Sequence, residues 1–270
     1  MLLTVHNQPA YCYTGGKPFD ATLPTAVFIH GAQHDHSVWA LQTRYFAHHG
    51  FGVLAVDLPG HGRSAGQPLG TVEQQADWLL AVLDAAGVES ACLIGHSMGS
   101  LIALETTYRA ADRVTKLALL ASAYPMKVSD SLLDAAQHQE LQAIDMVNIW
   151  SHSSYAQKPS APGPGFSVVG GNRRLMQRIA AGNPAQVFHT DFTACNDYAN
   201  GAVAAAAVTC PTLFLLGQQD LMTSARASAP LVNAIAHARV TRLERCGHAL
   251  MAEQPDAVLS ELFSFARDAQ

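Results

Sequence analysis

Two glycines flank a serine, each two positions away, in Gly95-His96-Ser97-Met98-Gly99. The apolar run Ala91-Cys92-Leu93-Ile94 precedes this segment, and a helical stretch from Ser100 to Thr107 follows it. A serine on such a strand-to-helix turn is held in a strained backbone conformation that projects its hydroxyl above the strand end. Chain passing close by leaves no room for side chains at positions 95 and 99. In this context Ser97 is a candidate nucleophile. A serine hydroxyl is weak at neutral pH, so it needs a base, and the base needs an orienting carboxylate.

Two later segments supply both. Leu213-Phe214-Leu215-Leu216-Gly217-Gln218-Gln219-Asp220 reads as a buried strand ending in a turn that bears an acid. Arg239 to Leu243 reads as a short strand, and Glu244-Arg245-Cys246-Gly247-His248 then brings a histidine behind a glycine. Asp220 and His248 are therefore the expected acid and base.

The elements that must position these groups form an alternating series. Ala26-Val27-Phe28-Ile29, Gly52-Val53-Leu54-Ala55-Val56, Leu117-Ala118-Leu119-Leu120 and Thr212 to Leu216 are short and apolar on both faces, as in a parallel sheet covered on two sides. Thr71-Val72-Glu73-Gln74 has the pattern of a capping box, and Trp78, Val82 and Leu83 continue it as a helical stripe. Gln254-Pro255 opens a last helix with Leu259, Leu262 and Phe263 on one face. The expected fold is α/β, a doubly wound, mostly parallel sheet.

From about Pro125 to Val208 the rhythm changes to helical segments without a buried strand, interrupted by the Pro/Gly-rich stretch from Lys158 to Gly165. The apolar and aromatic residues there, including Ile149, Trp150, Tyr155, Phe166, Phe188 and Phe192, need something to pack on. A helical lid over 125–208 is expected, inserted into a core of 1–124 and 209–270.

From about Val27 onward the chain resembles the α/β-hydrolase superfamily in its lidded serine esterase branch. The resemblance rests on five motifs in order: His30-Gly31-Ala32 with Trp39, Asp57-Leu58-Pro59-Gly60-His61-Gly62-Arg63-Ser64, the turn around Ser97, Gly217-x-x-Asp220 and Gly247-His248. Ser97, Asp220 and His248 also follow that family's chain order. The resemblance implies an oxyanion hole made by the backbone amides of Ala32 and Met98, and a small-molecule ester substrate cleaved through an acyl-enzyme. His34, Trp39, Tyr124, Trp150 and Phe166 are the candidate substrate-binding residues.

Several chemistries share this constellation. A serine at the turn excludes sister reactions that need an aspartate there. Enol-lactone hydrolysis, cofactor-free perhydrolysis and a receptor-like binding protein remain open. So does hydrolysis of carbon–carbon bonds in ring-cleavage products, for which Arg173, Arg174 or Arg178 would supply a cation for the substrate carboxylate. The crowding of His30, His34, Asp35 and His36 lacks the His-x-His-x-Asp-His spacing of metallo-hydrolases, so no metal and no cofactor are expected. His30 and Asp57 read as loop-organising residues, and His34 and His36 as the pocket rim. His48, His49 and His61 read as surface or loop residues, Asp191 and Asp197 as solvated or capping, and Cys92 as an inert core thiol.

The 270 residues are 49% hydrophobic and 14% charged, enough to bury a large core. A net charge of −5 without a basic cluster gives no footing for nucleic acid. Five scattered cysteines without a C-x-x-C pair suit a reducing, cytoplasmic setting. No apolar run approaches the roughly 18 residues that span a bilayer, so no membrane partner is expected. The expected assembly is a monomer or homodimer.

Overall fold

The computed structural model describes residues 1–156, 167–183 and 185–268. The strands are β1 (Leu2–Val5), β2 (Gln8–Tyr13), β3 (Thr25–Ile29), β4 (Gly52–Val56), β5 (Ala91–His96), β6 (Val114–Leu120), β7 (Thr212–Gly217) and β8 (Arg239–Leu243). They form one eight-stranded sheet in the order β1-β2-β4-β3-β5-β6-β7-β8. All pairings from β4 to β8 are parallel, while β1 and β2 pair antiparallel with each other and β2 with β4. The fold is doubly wound, as the alternating sequence pattern implies.

Helices between the strands are α1 (Ala40–His48), α2 (Val72–Ala85) and α3 (Met98–Arg109). Among the described residues, five more lie between β6 and β7: α4 (Asp130–His138), α5 (Glu140–Trp150), α6 (Val168–Gly182), α7 (Val187–Asp197) and α8 (Gly201–Ala206). Then come α9 (Ala225–Ala234), α10 (Leu250–Glu253) and α11 (Pro255–Arg267). Thr71 caps α2 by accepting from the Gln74 amide at 3.1 Å, and Pro255 occupies the first turn of α11. Among the described residues no helix is long and apolar enough to cross a membrane.

Strand periodicity divides the core in two. Val27, Ile29, Leu54, Leu93, Leu117 and Phe214 face one side, with α2, α3 and the inserted helices. Their sequence neighbours Ala26, Phe28, Val53, Ile94, Ala118 and Leu213 face the other, with α1 and α11. A fully buried parallel strand must be apolar at every position, which is why these runs carry no polar alternation.

The sequence reading did not anticipate the β1–β2 hairpin. Its turn uses His6 and Asn7, both at positive φ (48° and 63°), the geometry of a two-residue turn whose twist matches the strands.

Candidate active site

β3 lies at the centre, with β4 on one side of it and β5 on the other. The chain therefore leaves β3 and β5 in opposite directions, and the crevice above these strand ends is where sheets of this kind collect ligands. Ser97 sits there alone between β5 and α3, at φ 54° and ψ −120°. Its amide donates to the Leu120 carbonyl at 2.9 Å, and its carbonyl accepts from Ser100 at 2.8 Å. A Cβ at Gly95 would run into the Gly99 backbone, and one at Gly99 into the Ile29 and His30 carbonyls. Both glycines are thus required by backbone contact, as the spacing around Ser97 implies.

Asp220 lies just beyond β7. Its carboxylate accepts from the Met222 and Thr223 amides at 2.7 and 2.8 Å and from the Thr223 hydroxyl at 2.7 Å. Its Oδ2 also faces His248 Nδ1 at 2.9 Å. Burial pushes this carboxyl up, but the His248 charge and the hydrogen bonds outweigh it, and the group titrates at about 2. His248 follows Gly247, whose carbonyl packs so tightly on Gly217 that a Cβ there would clash. With Nδ1 engaged, His248 Nε2 is the nitrogen left for chemistry.

Ser97 and His248 line one cavity of about 150 Å³, together with Ala32, Trp150, Phe192 and Met222. Ser97 Oγ and His248 Nε2 are not hydrogen-bonded to each other in this structure. Among the described residues, the backbone amides of Ala32 and Met98 have no hydrogen-bond partner within the protein.

A model of the alpha/beta hydrolase family matches residues 26–261. The chain belongs to this family. It is 37% identical over 97 residues to a dihydrolipoyllysine-residue acetyltransferase component of an acetoin cleaving system from Cupriavidus necator, covering 36% of this chain and 26% of that one. A bifunctional esterase/perhydrolase from Acinetobacter calcoaceticus is 26% identical over 94% of this chain and 95% of its own. The solved enol-lactonase from Burkholderia xenovorans LB400 superposes with a TM-score of 0.83 at 22% identity, over 99% of this chain and all of that one. The chain spans 26 to 38% of the length of several curated relatives it matches.

Within this α/β-hydrolase the substrate-binding candidates separate. Trp150 lines the cavity with Ser97, and His34 lines a second cavity that also touches His248. Trp39 does not reach either one. It is fully buried beneath the sheet, 5.4 Å from the Phe28 ring, because its short 3₁₀ turn directs it into the core shared with α1. Tyr124 is likewise elsewhere: its hydroxyl donates to the Ala199 carbonyl at 2.5 Å and its ring packs on Tyr198, which ties β6 to the end of the insertion. Phe166 lies outside the described residues.

Other expectations are corrected by burial. His61 and Asp191 are neither surface nor solvated. They form a buried pair, His61 Nε2 to Asp191 Oδ2, at 2.9 Å, and the same oxygen accepts from the Gln33 amide at 2.8 Å. His36 does not rim the cavity but packs on Tyr11 and Tyr13 and pairs with Asp57 at 2.7 Å. Asp57 does organise its loop, accepting from the His36 and Arg63 amides at 2.8 Å each. His30 is structural, its Nε2 accepting from the Leu58 amide at 3.1 Å.

The donor atoms of Asp35, His36 and Asp57 lie within 4.8 Å of one another, the spacing of a metal site. The carboxylates are already occupied, Asp57 as above and Asp35 by Ser37 and Arg178. Arg173 pairs with Asp145, and none of Arg173, Arg174 and Arg178 lines the cavity with Ser97.

Three supporting residues escaped the sequence reading. Thr223 bridges the pair, 2.7 Å from Asp220 and 3.2 Å from His248 Nδ1. An Asp whose carboxylate accepts from the amide two residues on, as Asp220 does from Met222, is a recognisable turn signal. Asn172 holds His34 Nε2 at 2.8 Å. Glu253 takes the Gly247 amide with one oxygen and the Ser153 amide and hydroxyl with the other.

Proposed function

We propose that this chain is a serine hydrolase that cleaves a small carboxylic ester through an acyl-enzyme. Ser97 Oγ attacks the ester carbonyl while His248 Nε2 takes its proton and then delivers it to the departing alkoxide. Asp220 fixes the imidazole tautomer and stabilises the imidazolium, and water activated by the same nitrogen releases the acid. The amides of Ala32 and Met98 receive the negative charge on the former carbonyl oxygen.

The observation that carries this reading is the Asp220–His248 contact of 2.9 Å beside a cavity that Ser97 lines from a strained backbone position. The esterase/perhydrolase relative, similar over nearly its whole length, supports an ester as the substrate. We read residues 125–208 as a lid over that cavity, since Met126, Leu132, Trp150 and Phe192 line it. No cofactor enters the scheme, and five free cysteines suit the cytoplasm.

Labelling with a small fluorophosphonate, followed by mass mapping, tests this reading. Modification of Ser97 is expected, with loss of both label and turnover in Ser97→Ala. Label that persists on another serine in a folded Ser97→Ala protein overturns it.

A further inference from the structure

His248 lines two cavities of unequal size. The one it shares with Ser97 and Ala32 measures about 150 Å³. A second cavity, of about 350 Å³, is lined by His34, Leu41, Asn172, Leu175, Met251 and His248 itself, and touches neither Ser97 nor Ala32.

The proposed chemistry assigns the halves of the ester to these spaces. In the tetrahedral intermediate the acyl carbon is bonded to Ser97 Oγ and its oxygen faces the Ala32 amide, so the acyl substituent occupies the smaller cavity. The leaving oxygen must reach His248 Nε2 to take the proton as its bond to carbon breaks. The group it carries therefore extends past His248 into the larger cavity. A cavity of about 150 Å³ accommodates a benzene ring and little more.

Resting on the serine hydrolase reading, we infer that this site selects esters with a short acyl group, up to about the size of a benzoyl, and a larger apolar alcohol. Leu41, Val38, Leu175 and Met251 supply the apolar wall of the larger cavity. Asn172 and His34 also line it, but their side chains are already engaged, with each other at 2.8 Å and with Asn148 and the Ala32 carbonyl.

Two isomeric esters test the assignment, because they share atoms and ester linkage and differ only in which side is large. 2-Naphthylmethyl acetate places the ring on the alcohol, whereas methyl 2-naphthylacetate places it on the acyl group. We expect kcat/KM to favour the acetate by at least about 100-fold, since a misfit of several carbons exceeds what one methylene costs.

A substitution then fills the larger cavity without threatening the helix. Gly171 lines it from α6, a Cβ there meets nothing within 4 Å, and any ordinary side chain improves helix propensity at that position. Gly171→Phe is expected to lower the ratio of kcat/KM between 2-naphthylmethyl acetate and methyl acetate at least about tenfold. Equal or reversed preference for the two isomers, with Ser97 still labelled by a fluorophosphonate, overturns the size assignment alone. An unchanged ratio in Gly171→Phe does the same. Absence of both labelling and turnover overturns the serine hydrolase reading together with it.

Discussion

The Asp191 carboxylate of α7 meets the His61 imidazole of the loop after β4 at 2.9 Å, with both side chains sealed from solvent. The same oxygen holds the Gln33 amide, one residue beyond Ala32. This buried pair thus helps to fix the insertion to the core at the loop proposed to receive the oxyanion. Burial opposes charge on His61, yet the Asp191 charge and hydrogen bond prevail and raise its pKa above the ordinary value.

Removing one partner of a buried pair strands the other, at a cost of about 3–5 kcal/mol. Asp191→Ala should lower the unfolding free energy in urea by about that amount. A histidine whose pKa is raised by folding contributes stability in full below its ordinary value of about 6.5, and loses it as pH rises through the raised value. The stability gap between wild type and Asp191→Asn should therefore narrow as pH rises above the ordinary histidine value of about 6.5. A gap that stays constant over that rise contradicts a charged His61.

Asp220→Asn should reduce kcat by about 10³–10⁴ in a folded protein, by presenting the wrong tautomer of His248 and removing the countercharge. Asp220 is depressed to about 2, so its ionised contribution is complete above the ordinary carboxylate range and is lost only as pH falls through about 2. Titration of Asp220 itself should accordingly add no pH dependence to this loss across neutral and mildly acidic pH. A loss below about tenfold would mean that another carboxylate supports the imidazole.

Backbone strain at Ser97 separates two inactive variants. A non-glycine residue held in a sparsely populated region costs about 1–3 kcal/mol, and glycine relieves it. Ser97→Gly should melt higher than Ser97→Ala, by an amount equivalent to about 1 kcal/mol, although both lose turnover. Equal melting temperatures would place the strain elsewhere.

Trp39 and Trp150 make opposite expectations. Trp39 is buried in the core and Trp150 lines the cavity. Trp39→Ala should destabilise by about 3–5 kcal/mol, and Trp39→Phe should leave KM within about twofold. Trp150→Ala should instead shift kcat/KM for an ester by about tenfold or more. Steady-state kinetics beside urea titrations distinguish the two, and a large KM change in Trp39→Phe would return that residue to the site.

The nucleophile and acid candidates were legible because each follows an apolar strand within three positions of a glycine whose spacing has a steric cause, and the base candidate because it directly follows Gly247. Gly95, Gly99 and Gly217 all face backbone at distances no Cβ survives. The His61–Asp191 pair was not legible. Its members lie 130 positions apart, and each looks like an ordinary loop or helix-surface residue until the insertion folds back over the core. Trp39 was misplaced for a related reason: a motif gives the loop but not the side of the sheet toward which its aromatic ring turns. The β1–β2 hairpin escaped notice because its strands are half exposed, unlike the fully buried runs that marked the others.

Glu253 draws the loop that carries His248 and the corner at Ser153 onto one carboxylate. Ser151 adds its carbonyl to the amide of Ala249, on the far side of the histidine. The loop of the proposed base and the insertion therefore share these anchoring contacts. A variant or bound molecule that pries the 151–153 corner away from the core also frees the backbone on both sides of His248. Access to the crevice and competence of the imidazole then change in one movement, and rigidity at this corner becomes a throttle on turnover that lies outside the reacting groups.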